Sequence, residues 1–333
     1  MHYRTFGRTG WQVSEIGFGM WAMGDWTEQT QDSLYQSLER AVELGCNFFD
    51  TAYGYGWGLS EGLLGRLVRA HPEARLYTAT KLPPKNMKWP SRPYYLLDET
   101  YPPDHIFEYT EKCLEKLGLD SVDLMQFHVW EDNWAEDERW QRVVDDLKRQ
   151  GLVSAFGVSV TRWEPNNCLT TLRSGVIDAV QVVYNIFEQA PQDMLFPLCK
   201  TMDVAVIARV PFDEGALTDI LTTDTVWADD DWRRTYFIPR LLKESVEHVN
   251  ALRPLIPKDM TMAEAALRFI LSHPQVTTTI PGMRRSTHVE ANMAASDGEG
   301  LPAGVLDALG EHRWDRIQEE YFDLDTGKPW LST

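Results

Sequence analysis

The chain has 333 residues, a formal net charge of −18 at pH 7 and 43% hydrophobic residues. This hydrophobic fraction allows a large core and argues against intrinsic disorder. The negative charge disfavours nucleic acid as a partner, because no basic surface is available to displace counterions from phosphates. The N-terminal MHYRTFGRTG has no signal-peptide core, and no apolar run reaches membrane-spanning length. We therefore expect a cytoplasmic protein that does not contact a membrane.

Apolar, strand-like runs alternate with amphipathic helical patterns along the whole chain. The predicted strands are 16–20, 47–50, 76–81, 122–128, 155–160, 179–184, 204–209 and 276–281. The helical patterns between them include 29–44, 59–69, 104–117, 135–150, 192–202 and 261–272. Most of these strands are apolar on both faces, which is typical of buried parallel strands. Eight strands, each followed by a helix, favour an α/β fold of the (β/α)₈ TIM-barrel type over an open sheet.

The segments outside this repeat complete the predicted architecture. The first dozen residues, with glycines at 7 and 10, predict a hairpin that covers the bottom of the barrel. The absence of a linker or composition shift predicts one domain over 1–333, in which 297–333 form a C-terminal extension. We expect the tail at 312–333 to lie either over the barrel mouth or against a neighbouring subunit, and the oligomeric state is left open.

Two long connections interrupt the repeat, at 82–103 after the third predicted strand and at 212–241 after the seventh. Long irregular connections in compact domains are usually lids or binding loops. Both leave the C-terminal ends of strands, where barrel active sites lie. We expect both loops to border the substrate site.

The remaining composition points to free thiols and to no metal site. The four cysteines are widely spaced and form no C-x-x-C pair, which predicts buried free thiols. The acidic run WADDDW at 227–232 has carboxylates, but no spaced histidine and glutamate set accompanies it. We read this run as a solvated loop and predict no metal.

Four residues near predicted strand ends form a set that can deliver a proton: Asp50, Tyr55, Lys81 and His128. Neighbouring strand ends are adjacent in a barrel, so these side chains can converge at one mouth. An ammonium lowers the pKa of a nearby phenol, and a carboxylate can hold that ammonium in place. The alternative for any one of them alone is a helix cap or a solvated loop residue. Together they indicate carbonyl chemistry.

The sequence DTAYGYGWGLSE at 50–61, followed by Gly65, resembles the signature of the aldo-keto reductases. The resemblance runs from the N-terminal hairpin to about residue 296. It implies that Tyr55, rather than Tyr53, is the general acid. It further implies that Lys81 tunes this tyrosine, that Asp50 holds Lys81, and that His128 orients the carbonyl group of the substrate.

The same resemblance implies a bound nicotinamide cofactor. The segments GVS at 157–159 and VQVVYN at 180–185 are similar to those that hold the nicotinamide amide, which points to Ser159 and Gln181. The segment IPGMRRSTHVEAN at 280–292 resembles the one that binds the adenosine phosphate and adenine. The cofactor residues expected from this segment are Gly282, Arg284, Arg285 and Asn292.

The chain departs from the family pattern at three places. Val160 replaces a common asparagine, and His288 and Ala291 replace longer polar or acidic residues of the cofactor helix. Arg209 stands where many members have an aromatic residue that stacks on the nicotinamide. We expect Arg209 to stack on this ring or to bind a substrate anion. The alternative is an ion pair with Asp213 or Glu214 that anchors the loop.

The adjacent Arg284 and Arg285 favour NADP(H) over NAD(H), because guanidinium groups can pair with a 2′-phosphate through charge-assisted hydrogen bonds. The alternative for this pair is a solvated basic turn, so NAD(H) stays possible.

Four tryptophans follow predicted strand ends: Trp21, Trp57, Trp89 and Trp130. We expect them to line the substrate mouth, where their rings would stack on a sugar or an aromatic substrate. The alternative is that they fill the groove between the two long loops.

The sequence thus predicts an NAD(P)(H)-dependent oxidoreductase that reversibly reduces an aldehyde or ketone, with a small carbonyl compound or alcohol as its partner. Sugar-like, polyhydroxylated and aromatic carbonyls are all candidate substrates. A cofactor-dependent sugar epimerase or dehydrogenase, a non-catalytic nucleotide-binding subunit that senses redox state, and a metal-dependent barrel isomerase or aldolase are the alternatives.

Overall fold

The structure is a computed structural model, and it describes residues 1–24, 30–229 and 231–316. Its strands are β1 Tyr3–Thr5, β2 Gln12–Ser14, β3 Phe18–Gly19, β4 Phe48–Asp50, β5 Tyr77–Leu82, β6 Val122–Phe127, β7 Val153–Ser159, β8 Ala179–Val183, β9 Ala205–Arg209 and β10 Thr278–Thr279. Its α-helices are α1 Gln31–Glu43, α2 Leu59–Ala70, α3 Leu97–Thr100, α4 Pro103–Leu117, α5 Glu138–Arg149, α6 Leu169–Arg173, α7 Leu195–Met202, α8 Arg233–Tyr236, α9 Pro239–Leu252, α10 Met262–Leu271, α11 Ser286–Ala294 and α12 Ala303–Gly310.

The eight strands β3 to β10 form one parallel sheet in chain order. The first and last of them meet through parallel bridges between Ile16 and Thr279 and between Gly19 and Gly282. Backbone hydrogen bonds of 2.8 Å and 3.0 Å, from Gly17 N to Thr279 O and from Gly19 N to Pro281 O, complete the closure. All eight predicted strands and the (β/α)₈ barrel are confirmed.

The bottom of the barrel is covered by the antiparallel hairpin of β1 and β2, as the sequence predicted. Phe6 of this hairpin is fully buried and stacks on Phe48 at the start of β4, with ring centroids 5.5 Å apart. Trp11 stacks on Tyr77 at the start of β5, at 5.2 Å. These rings fill the lower end of the barrel, so ligands can enter only from the C-terminal ends of the strands.

The helices begin and end where local chemistry favours it. The Thr30 hydroxyl accepts a hydrogen bond from Ser33 N at the start of α1, and Thr261 does the same for Glu264 N at the start of α10. Helix α4 begins at Pro103 and ends before Gly118, whose left-handed φ of 62° suits a residue without a side chain.

Both long connections are more regular than the sequence indicated. The connection after β5 contains α3, and the connection after β9 contains a 3₁₀ helix at Asp213–Thr218, helix α8 and the start of α9. Proline, tryptophan and aspartate break the apolar periodicity in these stretches, which explains why short helices were not predicted there.

Of the C-terminal extension, the structure describes 297–316, which contain α12. Residues 317–333 lie outside the described part.

Two further sequence predictions concern burial and membranes. The four cysteines are free and buried, as expected. Among the helices of the described ranges, none combines the length and the apolar composition that a membrane crossing requires.

Helices α2 and α4 approach so closely that Gly65 cannot carry a side chain. A Cβ atom at Gly65 would lie 1.6 Å from Leu117 O, whereas a Cβ at Gly62, on the same helix, would lie 3.9 Å from Lys116 O. We predict that Gly65→Ala destabilises the protein by about 1–3 kcal/mol, since the helices must separate. The matched change Gly62→Ala should stabilise it by up to about 1 kcal/mol, because alanine favours helix. Urea denaturation measures both, and equal effects would contradict this account of the α2–α4 contact.

Candidate active site

A buried ion pair between Asp50 and Lys81 lies at the upper end of the barrel interior. The Lys81 ammonium donates to Asp50 Oδ1 at 2.5 Å and to the backbone oxygen of Thr51 at 2.7 Å. The side chains are only 1% and 3% exposed. Burial lowers the pKa of Lys81, but Asp50 and Tyr55 together outweigh burial, so the pKa of Lys81 is raised. Lys81 therefore carries a positive charge at neutral pH.

Two glutamines hold the other oxygen of Asp50. Gln181 Nε2 donates to Asp50 Oδ2 at 2.8 Å, and Gln126 Nε2 donates to the same atom at 3.0 Å. Sequence analysis placed Gln181 at the cofactor and missed Gln126. A polar residue inside the apolar strand VDLMQF was the available signal. Ser159, at the end of β7, is paired with Gln181 in the strand register and is likewise buried.

The Tyr55 ring lies directly beside Lys81, whose ammonium is 5.1 Å from the ring centroid. The loop that follows β4 places this half-buried ring at the mouth of the barrel. Burial raises the pKa of Tyr55, while the charges of Lys81 and Arg209 lower it; the net direction is upward. Lys81 thus lowers the pKa of this phenol, as the sequence predicted, but burial has the larger effect. The phenol remains protonated at neutral pH and can donate its proton.

His128 completes the group on the side of Tyr55, with the two ring centroids 5.7 Å apart in an edge-to-face arrangement. Burial lowers the pKa of His128 far below its ordinary range, and the charges of Lys81 and Arg209 add to this effect. The imidazole is therefore neutral. Its Nδ1 atom is buried and has no hydrogen-bond partner among the described residues. A neutral imidazole at this position can donate one hydrogen bond to a ligand without adding charge.

Arg209 ends β9 and reaches the same mouth. Its Nη2 donates to Val160 O at 3.0 Å, and its Nε is buried with no hydrogen-bond partner in the described part of the chain. Burial, followed by the charge of Arg162, lowers the pKa of Arg209. Thus Arg209 and Val160, two of the three departures from the family pattern, contact each other.

The alternative role for Arg209 was an ion pair with Asp213 or Glu214. Among the described residues, these carboxylates form ion pairs with other arginines, and Arg209 interacts with Glu214 only through charge. Arg316 Nη2 lies 2.6 Å from Asp213 Oδ1, and Arg162 lies 3.3 Å from Asp213 and 3.4 Å from Glu214. Both guanidinium groups also contact the Tyr236 hydroxyl.

This cluster fixes a strained segment. Val210, Asp213 and Glu214 have φ values of 56°, 46° and 56°, a region that side chains rarely adopt. The connection after β9 is therefore held in one conformation by ion pairs from the loop after β7 and from the C-terminal segment.

The segment predicted to bind adenosine lies at the end of the eighth barrel strand. Gly282, Arg284 and Arg285 are exposed, and Arg285 immediately precedes α11. Asn292 is buried on that helix. Burial lowers the pKa of the neighbouring His288, and the two arginines add to the effect. The cofactor roles of these residues stay predictions.

Three of the four tryptophans expected at the mouth are exposed: Trp21, Trp57 and Trp89. The Trp89 ring lies 5.9 Å from the His128 ring, which places it beside the catalytic group. Trp130 is different, and the expectation that it faces the substrate is wrong. It is fully buried, stacks on Phe127 at 4.8 Å and donates from Nε1 to Thr171 Oγ1 at 2.7 Å.

The acidic run at 227–232 contains internal ion pairs. Asp229 pairs with Arg234 at 2.8 Å, and Asp231 pairs with Arg233 at 2.6 Å. Asp230 lies outside the described residues. Asp229 and Asp231 are thus paired with the two arginines that follow the run.

The sequence profile of the aldo/keto reductase family matches residues 15–312. The chain belongs to this family. The match covers all eight barrel strands and the four residues of the proton-delivering group. It ends within the C-terminal extension, shortly before Arg316.

Several curated relatives match over most of their length. The chain is 27% identical to the uncharacterized oxidoreductase YqkF of Bacillus subtilis over 94% of this chain and 96% of the relative. It is 24% identical to the NADH-specific methylglyoxal reductase of Escherichia coli, over 87% and 91%. It is also 25% identical to a probable voltage-gated potassium channel subunit beta of Arabidopsis thaliana, over 89% and 92%.

Solved structures share the fold. The holo form of aldo-keto reductase AKR11C1 from Bacillus halodurans superposes with a TM-score of 0.76, at 25% identity over 96% of this chain and 99% of that one. An aldo/keto reductase from Klebsiella pneumoniae, solved in complex with NADP and acetate, superposes with a TM-score of 0.70 at 20% identity over 95% and 97%.

Lys81 lowers the pKa of Tyr55, so its removal must raise that pKa further. If Tyr55 acts as a proton donor, activity is lost as pH rises through its pKa. We predict that Lys81→Met shifts the loss of any residual activity at high pH to a higher pH. Lys81→Arg keeps the charge, so activity should be lost near the same pH as in the wild type. The pH dependence of the rate measures both. An unchanged pH dependence in Lys81→Met would show that Lys81 does not tune the phenol.

Proposed function

We propose that this protein is an NAD(P)(H)-dependent oxidoreductase that reversibly reduces an aldehyde or ketone to an alcohol. The observation that carries the proposal is the convergence of a protonated Tyr55, a charged Lys81 held by Asp50, and a neutral His128 at one barrel mouth. These groups present proton and hydrogen-bond donors to a carbonyl oxygen.

The roles of the residues follow from the charge that develops during reduction. As the carbonyl carbon accepts a hydride, negative charge grows on its oxygen, and donors at that oxygen stabilise the transition state more than the ground state. Tyr55 transfers its proton to this oxygen. His128 donates a hydrogen bond and orients the carbonyl group. Lys81 stabilises the tyrosinate that remains, and Asp50 fixes Lys81.

The residues at the mouth fit a nicotinamide cofactor, which supplies the hydride when bound. Arg209 Nε and His128 Nδ1 are buried polar atoms without partners in the described residues, so a polar ligand belongs between them. We assign Ser159 and Gln181 to the nicotinamide amide and Arg209 to the ring or to a substrate anion. Gly282 and Asn292 are assigned to the adenosine part.

NADP(H) is the proposed cofactor, with NAD(H) as the second possibility. Arg284 and Arg285 are exposed at the segment assigned to adenosine, where a 2′-phosphate would lie. One structural neighbour was solved with NADP, and one relative is NADH-specific. The family fold therefore accommodates either cofactor, and the arginine pair favours the phosphorylated one.

The wider assignments are part of the same proposal. A net charge of −18 supports a small-molecule partner rather than nucleic acid. We further propose one domain over 1–333 in the cytoplasm, without a metal or a membrane partner, and with Trp21, Trp57 and Trp89 at the substrate.

A second candidate is a non-catalytic nucleotide-binding subunit that senses redox state. The likeness to a probable potassium channel subunit beta favours it. The full set of Asp50, Tyr55, Lys81 and His128 favours an enzyme, since a sensor has no use for a proton donor. If nicotinamide absorbance shows turnover of any carbonyl compound, the non-catalytic subunit is ruled out.

Tyr55→Phe keeps the ring and removes the proton. We expect carbonyl reduction to fall by about 10²–10⁴-fold, the contribution of general acid catalysis, with cofactor binding preserved. Tyr53→Phe is the matched control, because Tyr53 lies two residues away and packs edge-on against Tyr109, 5.1 Å between centroids. Near-wild-type turnover in Tyr55→Phe would refute the assignment of the acid.

Substitution of Arg284 and Arg285 tests the proposed preference for NADP(H) over NAD(H). Replacing Arg284 and Arg285 together by alanine should weaken NADPH binding by about 10- to 100-fold, as expected for lost charge-assisted hydrogen bonds. NADH binding should change little, because NADH has no 2′-phosphate. Fluorescence titration with both cofactors measures the effect. Equal losses, or tighter binding of NADH by the wild type, would overturn the NADP preference.

A further inference from the structure

A cavity opens among the connections at the rim of the barrel. It has a volume of about 380 Å³, and we call it the rim pocket; its walls include Pro93, Glu131, Asn133, Trp163, Asn166 and Asn167. These residues belong to the connections after β5, β6 and β7. The volume lies within the range of roughly 300–1,000 Å³ that small-molecule sites occupy.

The rim pocket shares two connections with the catalytic site. Glu131 follows His128 by three residues, and Pro93 lies on the connection that carries Trp89, whose ring is 5.9 Å from that of His128. A substrate with its carbonyl group at His128 can extend along these two connections. The pocket is therefore positioned to contact the part of a substrate that does not react.

The walls of the pocket are held by hydrogen bonds between different connections. Asn167 Nδ2 donates to Glu131 Oε2 at 2.8 Å, and Asn167 Oδ1 accepts from Asp132 N at 2.9 Å. Asn133 Nδ2 donates to Pro93 O at 2.8 Å. These bonds join the three connections without any ligand, so the pocket is formed in advance and binding requires little ordering.

Two hydrogen-bond acceptors in these walls lack donors. Glu131 is 1% exposed, and neither its Oε1 nor the buried Oδ1 of Asn166 has a partner at hydrogen-bond geometry among the described residues. The buried Ser91 hydroxyl acts on the Glu131 carboxyl group but likewise has no partner at that geometry. A buried polar atom without a partner destabilises a protein. Such atoms are rare and require an explanation. A ligand that brings hydrogen-bond donors to both atoms supplies the missing partners.

The chemistry of the walls favours hydroxyl groups over an ammonium group as these donors. One of the two acceptors, Asn166, is a neutral amide. A hydroxyl group can donate to either acceptor. Trp163 adds a flat apolar surface of the kind on which sugar rings pack.

We propose that the rim pocket is a subsite for the hydroxyl groups of the substrate, and that the substrate is therefore a polyhydroxylated aldehyde or ketone of the sugar type. Glu131 and Asn166 determine this specificity by accepting hydrogen bonds from substrate hydroxyls. The substrate class depends on the proposed reductase function, whereas the binding of a polyol in the pocket does not.

Glu131→Gln tests the subsite, since it replaces the unpartnered oxygen by a donor group and can keep the bond from Asn167. The measurement is kcat/KM for D-xylose relative to propanal, which has no hydroxyl groups. We expect this ratio to fall by at least about tenfold, through a higher KM for D-xylose. Asn166→Leu should act in the same direction. Glu136→Gln, at an exposed position five residues along the chain, is the matched control and should leave the ratio unchanged.

A binding experiment separates the subsite from the reaction. Saturation-transfer NMR on the cofactor-free wild type should show xylitol bound, and the signal should be lost in Glu131→Gln and Asn166→Leu. Loss of this signal in variants that keep the wild-type unfolding midpoint supports the subsite even if no carbonyl compound is ever turned over.

Three results would overturn the proposal. The first is that xylitol does not bind, or binds equally to the variants, while propanal is reduced; in that case the reductase function stands without the subsite. The second is tighter binding of 5-aminopentanol than of xylitol, which would assign the pocket to an amine. The third is a D-xylose to propanal ratio that neither variant changes.

Discussion

The ion pair of Asp50 and Lys81 is buried in the interior of the barrel, where neither charge is solvated by bulk water. Removing two charges from water is so unfavourable that their attraction compensates only when every remaining hydrogen-bonding position is also used. Lys81 also donates to Thr51 O, and Asp50 accepts from Gln126 and Gln181. The donors and acceptors come from β4, β5, β6 and β8 and from the residue after β4, so a closed barrel is needed to bring them together.

This pair also determines the chemistry of the two groups above it. The charge of Lys81 lowers the pKa of His128, together with burial, and opposes the effect of burial on Tyr55. Burial keeps the phenol protonated, and burial together with Lys81 keeps the imidazole neutral. In these two states both groups can donate hydrogen bonds to one oxygen. Arg209 acts on both groups in the same direction. Stability and reactivity at this mouth therefore depend on the same buried charge.

The sequence predicted the barrel well because buried parallel strands are apolar on both faces, a pattern that needs no knowledge of distant contacts. The proton-delivering group was also predictable, since strand ends that follow one another in a barrel are neighbours. Contacts between residues on opposite sides of the barrel were not predictable from the sequence. Gln126 was missed because its partner Asp50 is 76 residues away, and its place in an apolar strand indicates burial but not the residue that it binds.

Predictions failed where the direction of a side chain depends on packing. Trp130 follows a strand end, yet its ring turns into the helical layer and packs on Trp134 and Trp140. The ion pairs that join Arg316 to Asp213 span 103 residues, and so the anchoring of the connection after β9 had no local signal. The net pKa direction of Tyr55 likewise depends on its burial, which only the folded structure provides.

A double-mutant cycle on Asp50 and Lys81 tests most directly whether this pair organises the site. Asp50→Asn, Lys81→Met and the double variant would be compared by urea denaturation. Each single change should reduce the free energy of unfolding by about 3–5 kcal/mol, because it leaves a buried charge without its partner. The double variant should lose far less than the sum, while its reductase activity stays at the level of Lys81→Met. Additive losses of stability would contradict the central role of the ion pair.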